Sequence, residues 1–189
     1  MITPREKKHL HQIIAFCFVM NFVLGIMPGF FSDVSTANAN MTAKYFWQIA
    51  NLFYMVGCCL YSLKAGSEDK IITAGGFIVL SIGIGTLFAL QTASFSEEVN
   101  KAYAAGILAY LPGMILICYY DRFPAWLRIA GVVACIPRLM TLILILTDKF
   151  EWTKHQKIDG LGYVLTNLVA LGWAWFVIKP MKKFREQNV

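Results

Sequence analysis

Charged residues are scarce in this 189-residue chain, and acidic residues are missing from its long apolar runs. Only 15% of the residues are charged, while 58% are hydrophobic. A typical soluble domain carries about 25% charged residues. The chain is also too short for two membrane domains, and no segment is long and polar enough to fold as a separate soluble unit. The composition therefore excludes an ordinary soluble domain and predicts a polytopic membrane protein.

Histidine and lysine are missing from the interiors of the apolar runs, which excludes several membrane chemistries. The three histidines, His9, His11 and His155, fall in predicted tails or loops, so no histidine pair is available for a buried haem. His9 and His11 are predicted on one side of the membrane and His155 on the other, so the three cannot share a metal site. No mid-span lysine can form a Schiff base, and no paired aspartates or Ser–His pair at one depth predicts an intramembrane protease. The sequence thus predicts neither a metal nor a cofactor.

The five cysteines form no recognisable metal or redox motif. All of them lie in apolar runs without the spacing of a zinc site, and the adjacent pair Cys58–Cys59 is not a CxxC motif. We interpret them as small packing residues. Cys118, close to a predicted membrane edge, is the alternative: a site of reversible acylation.

What the chain does have is six long apolar runs separated by short polar segments. The runs cover residues 12–31, 45–63, 71–92, 102–120, 125–147 and 161–178. A run of roughly 20 apolar residues is long enough to cross a bilayer as an α-helix. The predicted fold class is therefore all-α, a six-transmembrane-helix bundle that forms a single domain over residues 1–189.

The first run also has the layout of a signal peptide, because Ala37 and Ala39 follow it in an A-x-A arrangement. The run is longer than a typical signal-peptide core, so we favour a retained first helix. Cleavage after this run remains the alternative.

The basic residues follow the pattern of a membrane topology signal. If the N-terminus is cytoplasmic, 11 lysines and arginines fall in cytoplasmic segments and 5 fall outside, with Arg138 inside the membrane. Cytoplasmic segments of membrane proteins carry this excess. We therefore predict that both termini are cytoplasmic in a plasma or inner membrane, and we attribute the net charge of +6 to topology rather than to nucleic-acid binding.

Polar side chains recur inside the apolar runs, and the most unusual of them is Arg138. It lies at the middle of the fifth run, directly after Pro137, and no acidic residue lies within any run. A charge at this depth costs several kcal/mol unless a partner or water compensates it. Only the outer-loop residues Asp33, Glu97 and Glu98 offer a marginal counter-charge. Amide side chains lie at a similar depth or on the same helical faces: Asn21, Gln48, Asn51 and Asn167.

Three interpretations of Arg138 compete. In the first it is structural, bonded to asparagines and to the carbonyl that Pro137 leaves unpaired. In the second it faces a mid-membrane pocket and binds a small anion or an anionic lipid headgroup, for which its planar guanidinium is suited. In the third it pairs with an acidic residue of a partner subunit.

The leading functional prediction is a small transporter or channel with an anion-binding pocket. Its ligand-binding residues would be Arg138, Asn21, Gln48, Asn51 and Asn167, and its hinges Pro112, Gly113 and Pro137. The alternative is a non-catalytic membrane subunit or effector that acts through homo-oligomerisation or a partner complex. A lipid-modifying enzyme that uses His155 with Asp159 is a weaker alternative, because no nucleophile–base pair is visible. The expected surroundings are the lipid bilayer, with no nucleic acid.

Overall fold

The computed structural model describes residues 4–30, 37–90 and 97–186, and this part of the chain is almost entirely helical. No strand occurs within those ranges. The six helices are α1 (Pro4–Ile26), α2 (Ala37–Gly66), α3 (Ile71–Leu90), α4 (Glu97–Cys118), α5 (Ala125–Leu146) and α6 (Trp152–Glu186), with a short 3-10 turn, Met27–Phe30, after α1.

Each helix contains a stretch that is long and apolar enough to cross a membrane. These stretches are Glu6–Ile26, Thr42–Gly66, Ile71–Leu90, Val99–Cys118, Ala125–Leu146 and Lys157–Lys179. The prediction of an all-α chain with six apolar helices is therefore confirmed. Length and composition of this kind indicate a membrane-embedded protein.

Two predicted boundaries need correction. Helix α6 begins at Trp152, so Asp159 lies within a helix and not in an outer loop. His11, expected in a polar tail, lies on α1 with only 7% of its surface exposed. The physical reason is the same for both: hydropathy marks where a helix enters hydrocarbon, and a helix can continue past that point.

The helices form a closed ring in chain order. Each packs against the helix before and after it in sequence, and α6 packs against α1. Neighbouring helices run antiparallel, as short connections require. We call the end where α1 begins and α6 ends the terminal end, and the opposite end the far end.

Aromatic side chains fill the centre of this ring towards the terminal end. Trp173 on α6 is 1% exposed, and its ring centroid lies 5.6 Å from that of Phe18 on α1 and 5.0 Å from that of Phe77 on α3. The contact with Phe77 joins two helices that are not neighbours in the ring. Burial and edge-to-face packing of rings both contribute to such contacts, and the bundle therefore has a solid core at this level.

Glycines of α3 and α4 allow a close backbone contact between these two helices. A Cβ atom on Gly113 would lie 2.6 Å from the backbone nitrogen of Leu80, and one on Gly83 would lie 2.7 Å from that of Tyr110. Only glycine allows two backbones to approach this closely in lipid. The structure thus gives Gly113 a packing role, while its predicted role as a hinge with Pro112 stays a prediction.

Small and polar residues of α5 face the inside of the bundle, as their spacing predicted. The buried residues of this helix include Gly131, Ala134, Cys135, Pro137, Arg138 and Thr141. Helix α5 continues through Pro137, whose part in any hinge motion also remains a prediction.

Candidate ligand-binding site

Arg138, Asp159 and Tyr103 form a charged cluster in the half of the bundle nearer the far end, and we call these three residues the far cluster. The Arg138 NH1 group donates hydrogen bonds to Asp159 Oδ1 and, at 2.7 Å, to the Tyr103 hydroxyl. The Tyr103 hydroxyl in turn donates to Asp159 Oδ2 at 2.7 Å. The side chains of Arg138 and Asp159 are only 5% and 15% exposed. The far cluster therefore joins α4, α5 and α6 through one closed set of bonds.

The expectation that Arg138 has no intramembrane counter-charge is wrong, because Asp159 supplies it. Asp33 and the side chains of Glu97 and Glu98, the counter-charges considered from the sequence, lie outside the described residues. A signal for Asp159 was present: it lies one helical turn before Tyr163, on the face that continues through Asn167. Starting the sixth run at Leu161 left Asp159 outside it and hid this relation.

Two polar atoms on the face of α5 that carries Arg138 have no partner among the described residues. These are Arg138 Nε and Thr141 Oγ1, both fully enclosed. The two residues are three positions apart on α5 and so lie on one face. An unpartnered polar group in a membrane interior costs several kcal/mol. The arrangement is therefore suited to holding water or a polar ligand.

The walls around Arg138 are shaped to receive its side chain. A Cβ atom on Gly162 would lie 3.2 Å from Arg138 Cδ, so glycine at this position leaves room for the arginine stem. On the other side, Arg138 Cζ lies 5.9 Å from the centre of the Tyr110 ring, a cation–π distance. The Tyr110 hydroxyl is 2.5 Å from that of Thr166. These contacts hold the guanidinium inside the bundle and not at its lipid surface.

The predicted amide residues are only partly gathered at one place. Asn21 Nδ2 donates to Asn167 Oδ1 at 2.5 Å, and Asn21 Oδ1 has no partner among the described residues. Asn51 is 5% exposed, and Gln48 is half-buried. Arg138 donates to Asp159 and Tyr103 and not to these amides. The structure thus brings Asn21 of α1 to Asn167 of α6, the helix that also carries Asp159.

An open cavity lies at the far end, between the beginning of α4 and the end of α5. Its volume is about 440 Å³, and it is lined by Asn100, Lys101, Ile145, Asp148 and Phe150. Helices α4 and α5 also carry Tyr103 and Arg138.

His155, considered with Asp159 as a catalytic pair, makes its contacts elsewhere. Its Nδ1 lies 3.0 Å from the Glu151 backbone nitrogen, and its ring stacks on Phe150 at a centroid distance of 5.7 Å. Asp159 is engaged by Arg138 and Tyr103. Within the described ranges, no group of three or more His, Cys, Asp or Glu residues could hold a metal ion.

The fold and the far cluster define a class: a six-helix, membrane-embedded bundle with a buried ion pair in its interior. Comparison with protein-family models, with curated proteins and with solved structures gave no match.

Proposed function

We propose that this chain is a small membrane carrier or channel whose far cluster binds a small polar solute. The observation that carries the proposal is that two buried polar atoms on one face of α5, Arg138 Nε and Thr141 Oγ1, have no partner among the described residues, although Arg138 also forms an ion pair. Intramembrane ionisable residues that face a bundle interior mark solute or ion pathways in many membrane proteins. Asn21, Gln48, Asn51 and Asn167 are proposed wall residues, and Pro112, Gly113 and Pro137 proposed hinges.

The negative charge of Asp159 next to Arg138 changes the class of solute that we expect the far cluster to bind. A simple anion must compete with Asp159 for the guanidinium, so the far cluster as a whole has no excess positive charge. A solute that carries a carboxylate or phosphate together with a hydrogen-bond donor can engage Arg138 and Asp159 at once. A zwitterion of this kind fits the far cluster better than the simple anion suggested by Arg138 alone.

Removing the unpartnered hydroxyl tests binding while the ion pair stays intact. Wild type, Thr141→Val and a control, Thr86→Val, are purified in detergent, and melting temperatures are measured with glycine, serine, acetate or inorganic phosphate. Thr86 lies on α3, and its hydroxyl donates to the Ile82 carbonyl at 3.1 Å. We expect glycine or serine to stabilise wild type and control, with about tenfold weaker apparent affinity in Thr141→Val, or about 1.4 kcal/mol. Identical responses of the three proteins to glycine and serine, or no response to either probe, overturn the proposal.

Uptake of the stabilising probe into proteoliposomes then tests transport. The double variant Arg138→Gln/Asp159→Asn removes both charges and leaves neither one unpaired, so it is the suitable negative control. We expect uptake by wild type and none by the double variant at equal reconstitution. Equal uptake by both would exclude the far cluster from the pathway.

A non-catalytic subunit or effector is the second candidate, favoured by the closed bonding of the far cluster. Three helices are joined by side chains of this chain alone, as expected if Arg138 only stabilises the bundle. Cross-linking in native membranes separates the candidates. Specific cross-links to another membrane protein, with no solute response in the melting experiment, would favour the subunit.

The orientation is proposed from the basic residues: both termini are cytoplasmic, in a plasma or inner membrane. Reporter fusions at Val189 test this, because a reporter that is active only in the cytoplasm should then function. An active periplasmic or extracellular reporter at the same position would reverse the topology.

A further inference from the structure

A second charged cluster lies at the terminal end, formed by Lys64, Glu68, Tyr120 and Arg122, and we call it the terminal cluster. Glu68 Oε1 accepts a hydrogen bond from Lys64 Nζ at 2.9 Å. Its Oε2 accepts from the Tyr120 hydroxyl at 2.6 Å and from Arg122 NH1 at 3.1 Å. The side chains of Lys64 and Glu68 are 7% and 10% exposed, whereas that of Arg122 is 54% exposed.

The terminal cluster has one net positive charge. Two cations, Lys64 and Arg122, share the single carboxylate of Glu68. Burial of Glu68 acts to raise its pKa, but the hydrogen bonds from Tyr120 and Lys64 and the nearby positive charges outweigh it and leave the pKa below its ordinary value. Glu68 is therefore ionised at neutral pH, and the excess charge remains on the cations.

Two enclosed polar atoms near the terminal cluster have no partner among the described residues. They are His11 Nε2 and the Tyr61 hydroxyl, in residues that are 7% and 0% exposed. Lys64 Nζ lies 5.2 Å from the centre of the Tyr61 ring. The ring of His11 is within electrostatic range of both Lys64 and Glu68.

The helix packing places His11 at the level of this cluster. A Cβ atom on Gly57 of α2 would lie 3.3 Å from Cys17 Cβ of α1. Because α1 and α2 are antiparallel, His11 lies beyond Cys17 in the same direction as Lys64 lies beyond Gly57. His11 also shares the buried face of α1 with Ile14 and Phe18.

We propose that the terminal cluster, together with His11 and Tyr61, is a binding site for one phosphate group. The available groups are an ammonium, a guanidinium, an imidazole N–H and a phenolic hydroxyl, all of which donate hydrogen bonds to phosphate oxygens. The excess positive charge selects an anion, and the exposed part of Arg122 provides the side from which it enters. The phosphate is carried by a lipid headgroup or by a free phosphate species, since both present the same oxygens. The site is separate from the far cluster and does not depend on the function proposed for it.

The experiment compares two buried tyrosines of α2 whose hydroxyls have no hydrogen-bond partner in the part of the chain that the structure describes. Tyr61→Phe removes a hydroxyl at the proposed site, and Tyr54→Phe removes an equally buried one away from it. Melting temperatures are measured in detergent with inorganic phosphate, with sodium chloride at matched ionic strength, and with micelles containing phosphatidylglycerol or phosphatidylcholine. We expect phosphate-dependent stabilisation of wild type and Tyr54→Phe, with at least fivefold weaker apparent affinity in Tyr61→Phe.

The probes distinguish the two sources of the phosphate group. Both lipids carry a phosphodiester, so stabilisation by phosphatidylglycerol, with or without phosphatidylcholine, but not by inorganic phosphate assigns a lipid headgroup. Stabilisation by inorganic phosphate assigns a free phosphate species. Arg122→Gln changes only a half-exposed residue and should also weaken the response. No stabilisation beyond that of chloride, or equal responses of Tyr61→Phe and Tyr54→Phe, overturns the site. The effect of Thr141→Val on stabilisation by glycine and serine tests the far cluster and is independent of this result.

Discussion

The far cluster and the terminal cluster have the same components but different charge and depth. In each, a carboxylate accepts hydrogen bonds from a tyrosine hydroxyl and from a cation. Tyr103 lies near the beginning of α4 and Tyr120 just beyond its end, so this helix is tied to its neighbours at both ends. The far cluster balances one cation with one acid, and the terminal cluster has a cation in excess.

The difference follows from the cost of burying charge. An ion pair without excess charge can lie deep in a bundle when its hydrogen bonds are satisfied, whereas an excess charge requires water, headgroups or a bound ion. The half-exposed Arg122 places that excess at the edge of the bundle. The anion-binding property that the sequence suggested for Arg138 is therefore better matched by the terminal cluster.

The largest expected effect is that of Asp159→Asn, which leaves Arg138 buried and unpaired. Breaking a buried ion pair from one side costs about 3–5 kcal/mol. We expect a loss of this size in the free energy of unfolding, measured by denaturant titration in detergent. Arg138→Gln/Asp159→Asn should recover a large part of it. A loss below about 1 kcal/mol, as for a surface pair, would contradict the enclosed position of the far cluster.

The next largest loss of stability is expected from a substitution at the glycine contact between α3 and α4. Gly113→Ala places a methyl group 2.6 Å from the Leu80 nitrogen, so α3 and α4 must separate. Overpacking of this kind costs about 1–3 kcal/mol. Gly75→Ala is the control, because a Cβ there meets nothing within 4 Å, and the gain in helix propensity should stabilise by up to about 1 kcal/mol. Equal effects of the two substitutions would argue against the close helix contact.

The two tyrosines allow the clusters to be compared directly. The Tyr103 hydroxyl both accepts from Arg138 and donates to Asp159, whereas that of Tyr120 only donates to Glu68. We expect Tyr103→Phe to lower the free energy of unfolding by about 1–3 kcal/mol, the cost of leaving buried polar groups unsatisfied. Tyr120→Phe should cost less, because Glu68 keeps two cationic partners. If thermal melts show a larger loss of stability for Tyr120→Phe than for Tyr103→Phe, the terminal cluster is the more enclosed of the two.

The smallest effect concerns the pH dependence of the terminal cluster. The pKa of Glu68 is held below its ordinary value of 4.5. A group with a lowered pKa stabilises the fold above the unfolded-state pKa, and this contribution is lost as the pH falls through the folded-state pKa. The melting-temperature difference between wild type and Glu68→Gln should therefore be constant above about pH 5 and shrink below the ordinary value. A difference that grows on acidification would contradict the assigned direction.

The sequence predicted the helices and singled out Arg138, but it predicted neither the bond from Arg138 to Tyr103 nor the bond from Arg138 to Asp159. Asn21 and Asn167 were expected at a similar depth and are bonded, although they are 146 positions apart. Asp159 was excluded because the hydropathy of its surroundings resembles that of a loop. The terminal cluster was missed for another reason: Lys64 and Arg122 were interpreted as topology signals, and Glu68 as part of a polar turn. A pattern along the chain does not contain such pairings, which arise when distant helices pack.

By itself, the sequence determined that six helices form and that most of their polar faces turn inward, because transfer of apolar surface into hydrocarbon depends on local composition. Only the tertiary structure decided which charges neutralise each other. That outcome depends on the closed ring of helices, which brings Arg138 to Asp159 and Glu68 to Tyr120. A hydrogen bond requires its donor and acceptor within about 3.2 Å of each other, so the same residues without this packing would form neither cluster.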